Sequence, residues 1–175
     1  MQMNLPIIHI IGLPGAGKTT LAKRLSKKLK LPVYGIGFYR ARFPMTAIGE
    51  ADAWLALFRD LSKRGWRNCI LETTGLNARE GFLSDALPFD RMIVVKLEAS
   101  RKVLMQRIGQ KKKSEQGGNW LYSDHLKDKY DFVNKLYPAF KNVMFRFAVK
   151  TDKMTKKEVF DAVLKRIDME SYFED

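Results

Sequence analysis

A chain of 175 residues with 46% hydrophobic content has the length and apolar content for one sizeable core, which excludes global disorder. Thirty-two Lys and Arg against 19 Asp and Glu leave a net charge of +13, which reads equally as a solvated basic surface or as a surface for anionic partners, nucleic acid among them. No apolar run reaches the ~18–20 residues of a membrane span, Met1–Asn4 lacks the basic region of a signal peptide, and Cys69 is the only cysteine, so the expectation is a cytoplasmic chain with no membrane partner and no internal disulfide.

Pro6 to Ile11 reads as a buried strand. Gly12-Leu13-Pro14-Gly15-Ala16-Gly17-Lys18-Thr19 follows and matches G-x-x-x-x-G-K-[ST] at every required position. Thr20 to Lys30 then reads as a helix, with Leu21, Leu25 and Leu29 on one face. Leu31 to Gly37 is a short second strand, with Phe38 to Pro44 at its end. A helix is expected over Glu50 to Lys63, closed by Gly65, and Asn68 to Thr73 forms a third strand. Thr74 to Asn77 turns into a short helix over about Ala78 to Leu87. Arg91 to Leu97 is a fourth strand, and Ser100 caps a helix through Gln110. Lys111 to Asn119 is a polar, glycine-containing loop, and Ser123 to Leu136 a polar-faced helix. Val143 to Val149 is a fifth strand, and Thr155 caps a last amphipathic helix. Alternation of strands and helices implies α/β architecture, a parallel sheet covered on both faces. Ligands of such sheets sit at the strands' C-terminal ends, which gathers the first loop, Phe38–Arg42, Glu72–Asn77 and the exit of the fourth strand on one rim.

The glycine loop carries the chemistry. Its backbone N–H groups and the helix N-terminus face phosphates; Lys18 reaches the β- and γ-phosphates and the Thr19 hydroxyl holds Mg²⁺. Gly12, Pro14, Gly15, Ala16, Gly17, Lys18, Thr19 and Thr20 are the expected nucleotide-binding set. Glu72 ends an apolar strand on the same rim, where an unpartnered carboxylate is costly without a role. Tyr34, Phe38, Tyr39, Phe43 and Trp54 cluster after the second strand; some could stack on a ring and others belong to the core. His9 reads as a core histidine and His125 as a surface one; neither pairs with a nucleophile.

With the phosphate loop, Glu72 and Arg107-Ile108-Gly109-Gln110-Lys111 in view, the chain resembles the P-loop kinases: adenylate kinases, shikimate- and gluconate-type kinases, and polynucleotide-kinase and zeta-toxin-like proteins. The resemblance implies one P-loop domain over 1–175, three layers around a five-stranded parallel sheet of order 2-3-1-4-5. It adds a substrate-binding insert at about 38–64 and a lid at about 107–122. It implies ATP and Mg²⁺ as cofactors and transfer of the γ-phosphoryl group to an acceptor. Lys18, Glu72, Arg107 and Lys111 become the catalytic set, Arg107 also lying against the nucleotide and Glu72 joining Thr19 at the metal. Lys111 replaces the second arginine of the family's R-x-x-x-R lid pattern and lacks its bidentate fork. Thr151 to Met154 fall where relatives hold adenine.

The chief departure lies after the second strand, where hydroxyl-phosphorylating relatives place an aspartate and this chain has none. Arg40 stands where adenylate-kinase-like chains grip a phosphate, and an anionic acceptor needs a cation there and no base. Arg40, Tyr39, Thr74, Gly75 and Asn77 are therefore the expected acceptor-binding residues, with Arg79 a further candidate cation. The favoured reading is a phosphotransferase acting on a nucleotide or nucleic-acid-type acceptor. The alternatives are a kinase of a small hydroxylated metabolite, and an ATP-binding switch that binds RNA or another partner. The sequence leaves the oligomeric state open.

Overall fold

A computed structural model describes residues 5–44, 46–76, 87–88, 91–110 and 129–171. Five strands form one parallel sheet: β1 (Ile7–Gly12), β2 (Val33–Gly35), β3 (Ile70–Thr73), β4 (Met92–Glu98) and β5 (Phe147–Lys150), in the order β2-β3-β1-β4-β5. The described helices are α1 (Lys18–Leu29), α2 (Ile36–Arg40), α3 (Ala47–Lys63), α4 (Arg101–Gly109), α5 (Lys129–Phe140) and α6 (Lys156–Ser171).

Strand periodicity divides the core. Ile8 and Ile10 of β1 face one side and pack with Leu21 and Leu25 of α1 and Val163 and Ile167 of α6. Ile7 and Ile11 face the other and pack with Ala53, Trp54, Leu57 and Leu61 of α3. Both faces of the central strands are covered, so β1 and most of β4 read as continuous apolar runs rather than alternating ones.

Caps fix where helices begin. Ser100 accepts from the Val103 N–H at the start of α4. At α6, Thr155 Oγ1 accepts from the Glu158 N–H while Glu158 Oε2 accepts from the Thr155 N–H, a reciprocal capping box. Those hydrogen bonds hold the Glu158 carboxyl below the usual carboxylate range.

Three expectations change. The second strand stops at Gly35, because Ile36 and Tyr39, one helical turn apart, enter the α3-side core as part of α2. The fifth strand begins at Phe147, not Val143, although Val143, Phe145, Phe147 and Val149 alternate as a strand would. β5 pairs only with Val95–Glu98, and the Val143 N–H instead donates to Phe140 O as the chain leaves α5. The helix expected over Ser123–Leu136 is observed over Lys129–Phe140. Residues 123–128, the helix expected over about Ala78–Leu87 apart from Leu87, and the loop Lys111–Asn119 lie outside the described residues.

Candidate active site

The strands' C-terminal ends open into a cleft of about 1130 Å³. Its floor is the glycine loop. Gly15 (φ +85°) and Gly17 (φ +99°) occupy the left-handed region, and a Cβ on Gly15 would stand 2.8 Å from Leu104 O. The left-handed turn at Gly17 delivers the chain into α1, whose first residue is Lys18. Lys18 Nζ donates to Leu13 O across the loop at 3.3 Å.

Glu72 reaches the loop through strand register. Ile10 pairs with Glu72, so the carboxylate lies on the α1 side of the sheet, and Thr19 Oγ1 donates to Glu72 Oε1 at 2.6 Å. A hydroxyl and a carboxylate thus meet beside the phosphate cradle. Hard oxygen donors of this kind suit Mg²⁺, which takes one or two protein ligands and fills its sphere with phosphate and water.

The opposite wall carries Arg107. Its Nη1 donates to Thr151 Oγ1 at 2.8 Å, its Nη2 to Thr151 O at 2.6 Å, and Nη1 also reaches Gly15 O at 3.5 Å. One guanidinium therefore ties α4 to both the phosphate loop and the turn after β5. Asp152 in that turn accepts from Ser100 N–H at 2.8 Å, and hydrogen bonds from the Ser100 side chain and backbone hold its carboxyl below the usual range. The sequence located this turn, but Thr151 as the side-chain partner of Arg107 carried no signal, because the two are 44 positions apart.

A further side of the cleft lies between α2 and the end of β3. Gly35, Ile36, Phe38 and Arg40 line it, with Thr73 and Thr74 opposite. Arg40 is buried and joined to Glu50: Nε donates to Oε2 at 2.8 Å and Nη2 donates to Oε1. Glu50 Oε1 also accepts from Trp54 Nε1 at 2.9 Å. Glu50, ten positions on from Arg40, is brought against it by the turn between α2 and α3. Tyr39 does not reach the cleft. It is buried, and its hydroxyl donates to Asp60 Oδ2 at 2.8 Å, so burial first and that bond second raise its pKa. Phe38 takes the exposed place instead, at 68% exposure. Thr74 lines the cleft, whereas Gly75 turns the chain at φ +73° without lining it. Asn77, Arg79 and Lys111 lie outside the described residues, as does the rest of the expected lid beyond Gln110.

Behind the site, His9 Nε2 and Thr73 Oγ1 are 2.8 Å apart, and Thr73 Oγ1 also accepts from Gly75 N–H at 3.0 Å. Burial lowers the His9 pKa to about 3, so the ring is neutral at pH 7 and supports the turn after β3. Burial likewise pushes the Cys69 thiol up to about 11, the state of a structural rather than a nucleophilic thiol.

A family model described as "AAA domain" matches residues 8–125. No curated protein matches the sequence. Among solved structures, a shikimate kinase from Acinetobacter baumannii aligns with a TM-score of 0.67 at 19% identity, over 95% of this chain and 94% of that one. A gluconokinase from Sinorhizobium meliloti 1021 aligns at 0.62 and 16%, over 100% and 99%. A thymidylate kinase from Candida albicans aligns at 0.60 and 17%, over 95% and 92%. At these identities the likeness is one of fold.

Proposed function

The chain belongs to the AAA domain family, and from that premise we propose that it is a single-domain, ATP-dependent phosphotransferase with a nucleotide or nucleic-acid-type acceptor. The observation that carries the reading is the convergence of Lys18, the Thr19–Glu72 pair and Arg107 on one cleft floored by the glycine loop. Binding modules need a cradle; a hydroxyl–carboxylate pair set beside that cradle adds the means to hold a metal.

Phosphoryl transfer asks a protein mostly for position and charge. The loop N–H groups and Lys18 hold the β- and γ-phosphates. Thr19 and Glu72 would hold Mg²⁺, which when bound neutralises charge on those phosphates. Arg107, fixed by Thr151, packs the nucleotide against the loop. The acceptor oxygen forms its bond to the γ-phosphorus while the bond to the β–γ bridging oxygen breaks, and ADP leaves with that electron pair. A phosphate acceptor arrives deprotonated; a hydroxyl acceptor passes its proton to Glu72. Lys23 on the cleft wall, and Phe38 exposed on the same cleft, support an anionic acceptor bearing a base.

A second reading, transfer to the hydroxyl of a small metabolite, is favoured by the Arg40–Glu50 pair, which makes that wall close to neutral. The shikimate and gluconate kinase folds suit it as well. γ-Labelled ATP with Mg²⁺ separates the readings when offered with nucleoside monophosphates, 5′-hydroxyl oligonucleotides, and pooled sugars and hydroxy acids. Label on the first or second class supports the favoured acceptor, and label only on the last replaces it. Lys18→Ala is expected to lose at least 100-fold in turnover, the order of effect of removing a preorganised charge at a transition state, with an unchanged fold. Near-normal transfer by that variant would falsify the assignment.

A further inference from the structure

We propose that the outer face of α1 is a docking surface for the phosphate backbone of single-stranded nucleic acid, running away from the cleft rim at Lys23. The helix contains no acidic residue. Lys23, Arg24, Lys27 and Lys28 are exposed along it, and Lys30 follows at its C-cap. Among the described residues none of these five cations forms an ion pair. With Lys18 at its start, six of the thirteen residues from Lys18 to Lys30 are cations, in a chain whose net charge is +13.

Folding alone does not call for this pattern. Lys23 with Lys27, and Arg24 with Lys28, stand four residues apart, where like charges destabilise a helix and a glutamate would stabilise it. The neighbouring helix on the same face of the sheet, α6, shows the ordinary solution. It carries four cations and four acids, with Lys157 and Asp161 paired across one turn. The repulsion kept on α1 is relieved by a polyanion.

The geometry selects the kind of polyanion. Lys23 lines the cleft, so the row of cations begins where the phosphate loop's field ends. From Lys23 to Lys30 it extends about 10 Å, at 1.5 Å per residue, enough for two or three successive phosphates. Phe38 is exposed on the wall of the same cleft and offers a stacking face to a base, which a paired duplex end does not present. A bilayer surface fits less well, because none of the exposed large apolar side chains of the described residues lies on α1. The proposal rests on the reading of the cleft as an acceptor site for where the strand ends, and on α1 alone for how it is held.

The test measures binding of a fluorescein-labelled single-stranded 20-mer by anisotropy, without ATP, from 50 to 300 mM NaCl. Wild type is compared with Arg24→Gln/Lys27→Gln/Lys28→Gln and with Lys28→Gln alone. Each lost phosphate contact removes about 0.7 from the slope of log K against log salt for a single strand. The triple variant should therefore lose about two units of slope and on the order of 100-fold affinity at 0.1 M salt; the single variant should lose about 0.7 of slope. Its thermal midpoint should not fall, since repulsion is being removed. An unchanged slope in the triple variant overturns the proposal. So does an absence of oligonucleotide binding by wild type, or binding only to vesicles containing phosphatidylserine. A strand-binding defect in the triple variant alongside an enzyme that labels no acceptor would keep the docking surface and remove the kinase reading.

Discussion

Arg40 and Glu50 set the character of the cleft wall at α2. A bidentate guanidinium–carboxylate pair buried beside Trp54 is costly to desolvate and more costly to break. Glu50→Ala leaves Arg40 without its carboxylate and Trp54 Nε1 without its acceptor. Urea unfolding should show a loss of about 3–5 kcal/mol. The double variant Arg40→Leu/Glu50→Leu removes both charges and should recover most of that loss. Its kinetics then separate two roles. If Arg40 serves only the fold, the double variant keeps the KM for the acceptor once stability is restored. If the guanidinium also meets an anionic acceptor, KM rises while the KM for ATP stays. A double variant no more stable than Glu50→Ala would show that the pair is not the source of the cost.

The elements that position the site were legible where one local signal sufficed. The G-x-x-x-x-G-K-T run, its flanking apolar strand and the Leu21/Leu25/Leu29 stripe placed β1, the loop and α1 with only small boundary shifts. Ser100 and Thr155 announced α4 and α6 by their caps. Legibility failed where pairing decides. Nothing in Val143–Phe145 says that the ladder with β4 begins only at the Arg146 N–H, so alternation alone extended β5 too far. It failed again where partners are distant in sequence, as with Arg107 and Thr151, or where burial redirects a side chain, as with Tyr39 and Asp60. The turn after β3 belongs to the same class. Gly75 has a left-handed backbone, and a Cβ there would lie 2.8 Å from Ile11 Cβ in β1. Gly75→Ala should therefore cost about 2–4 kcal/mol, summing backbone strain and overpacking. Thr74→Ala next to it, at an ordinary backbone position, should stay within about 1 kcal/mol. Equal losses in the two variants would mean that the turn is not held against β1.

At the scale of the molecule, the strand order β2-β3-β1-β4-β5 brings four loops to one rim, and the cleft follows from topology more than from any single side chain. Charge is distributed with a similar economy. The phosphate cradle needs cations, yet net charge of +13 on 175 residues exceeds what one nucleotide requires. Like charges spread over a compact chain repel one another, and unfolding relaxes them by increasing their separation. The pairs Lys63–Asp60, Lys135–Asp131 and Lys157–Asp161 offset this only locally, because their lysines are exposed and such pairing contributes little. Added salt screens the repulsion, with a Debye length falling from about 30 Å at 0.01 M to about 10 Å at 0.1 M. The thermal midpoint in NaCl should thus rise between 10 and 300 mM by about 2–4 °C, the shift that about 1 kcal/mol gives a chain of this length. Sodium sulfate at equal ionic strength should raise it further, since the glycine loop takes tetrahedral anions and ligands of the folded state alone stabilise it. In Lys18→Ala that sulfate increment should shrink while the NaCl slope stays, which separates a site effect from a surface one. A midpoint that falls with NaCl would show that attractive pairs, not net repulsion, govern the folded charge distribution.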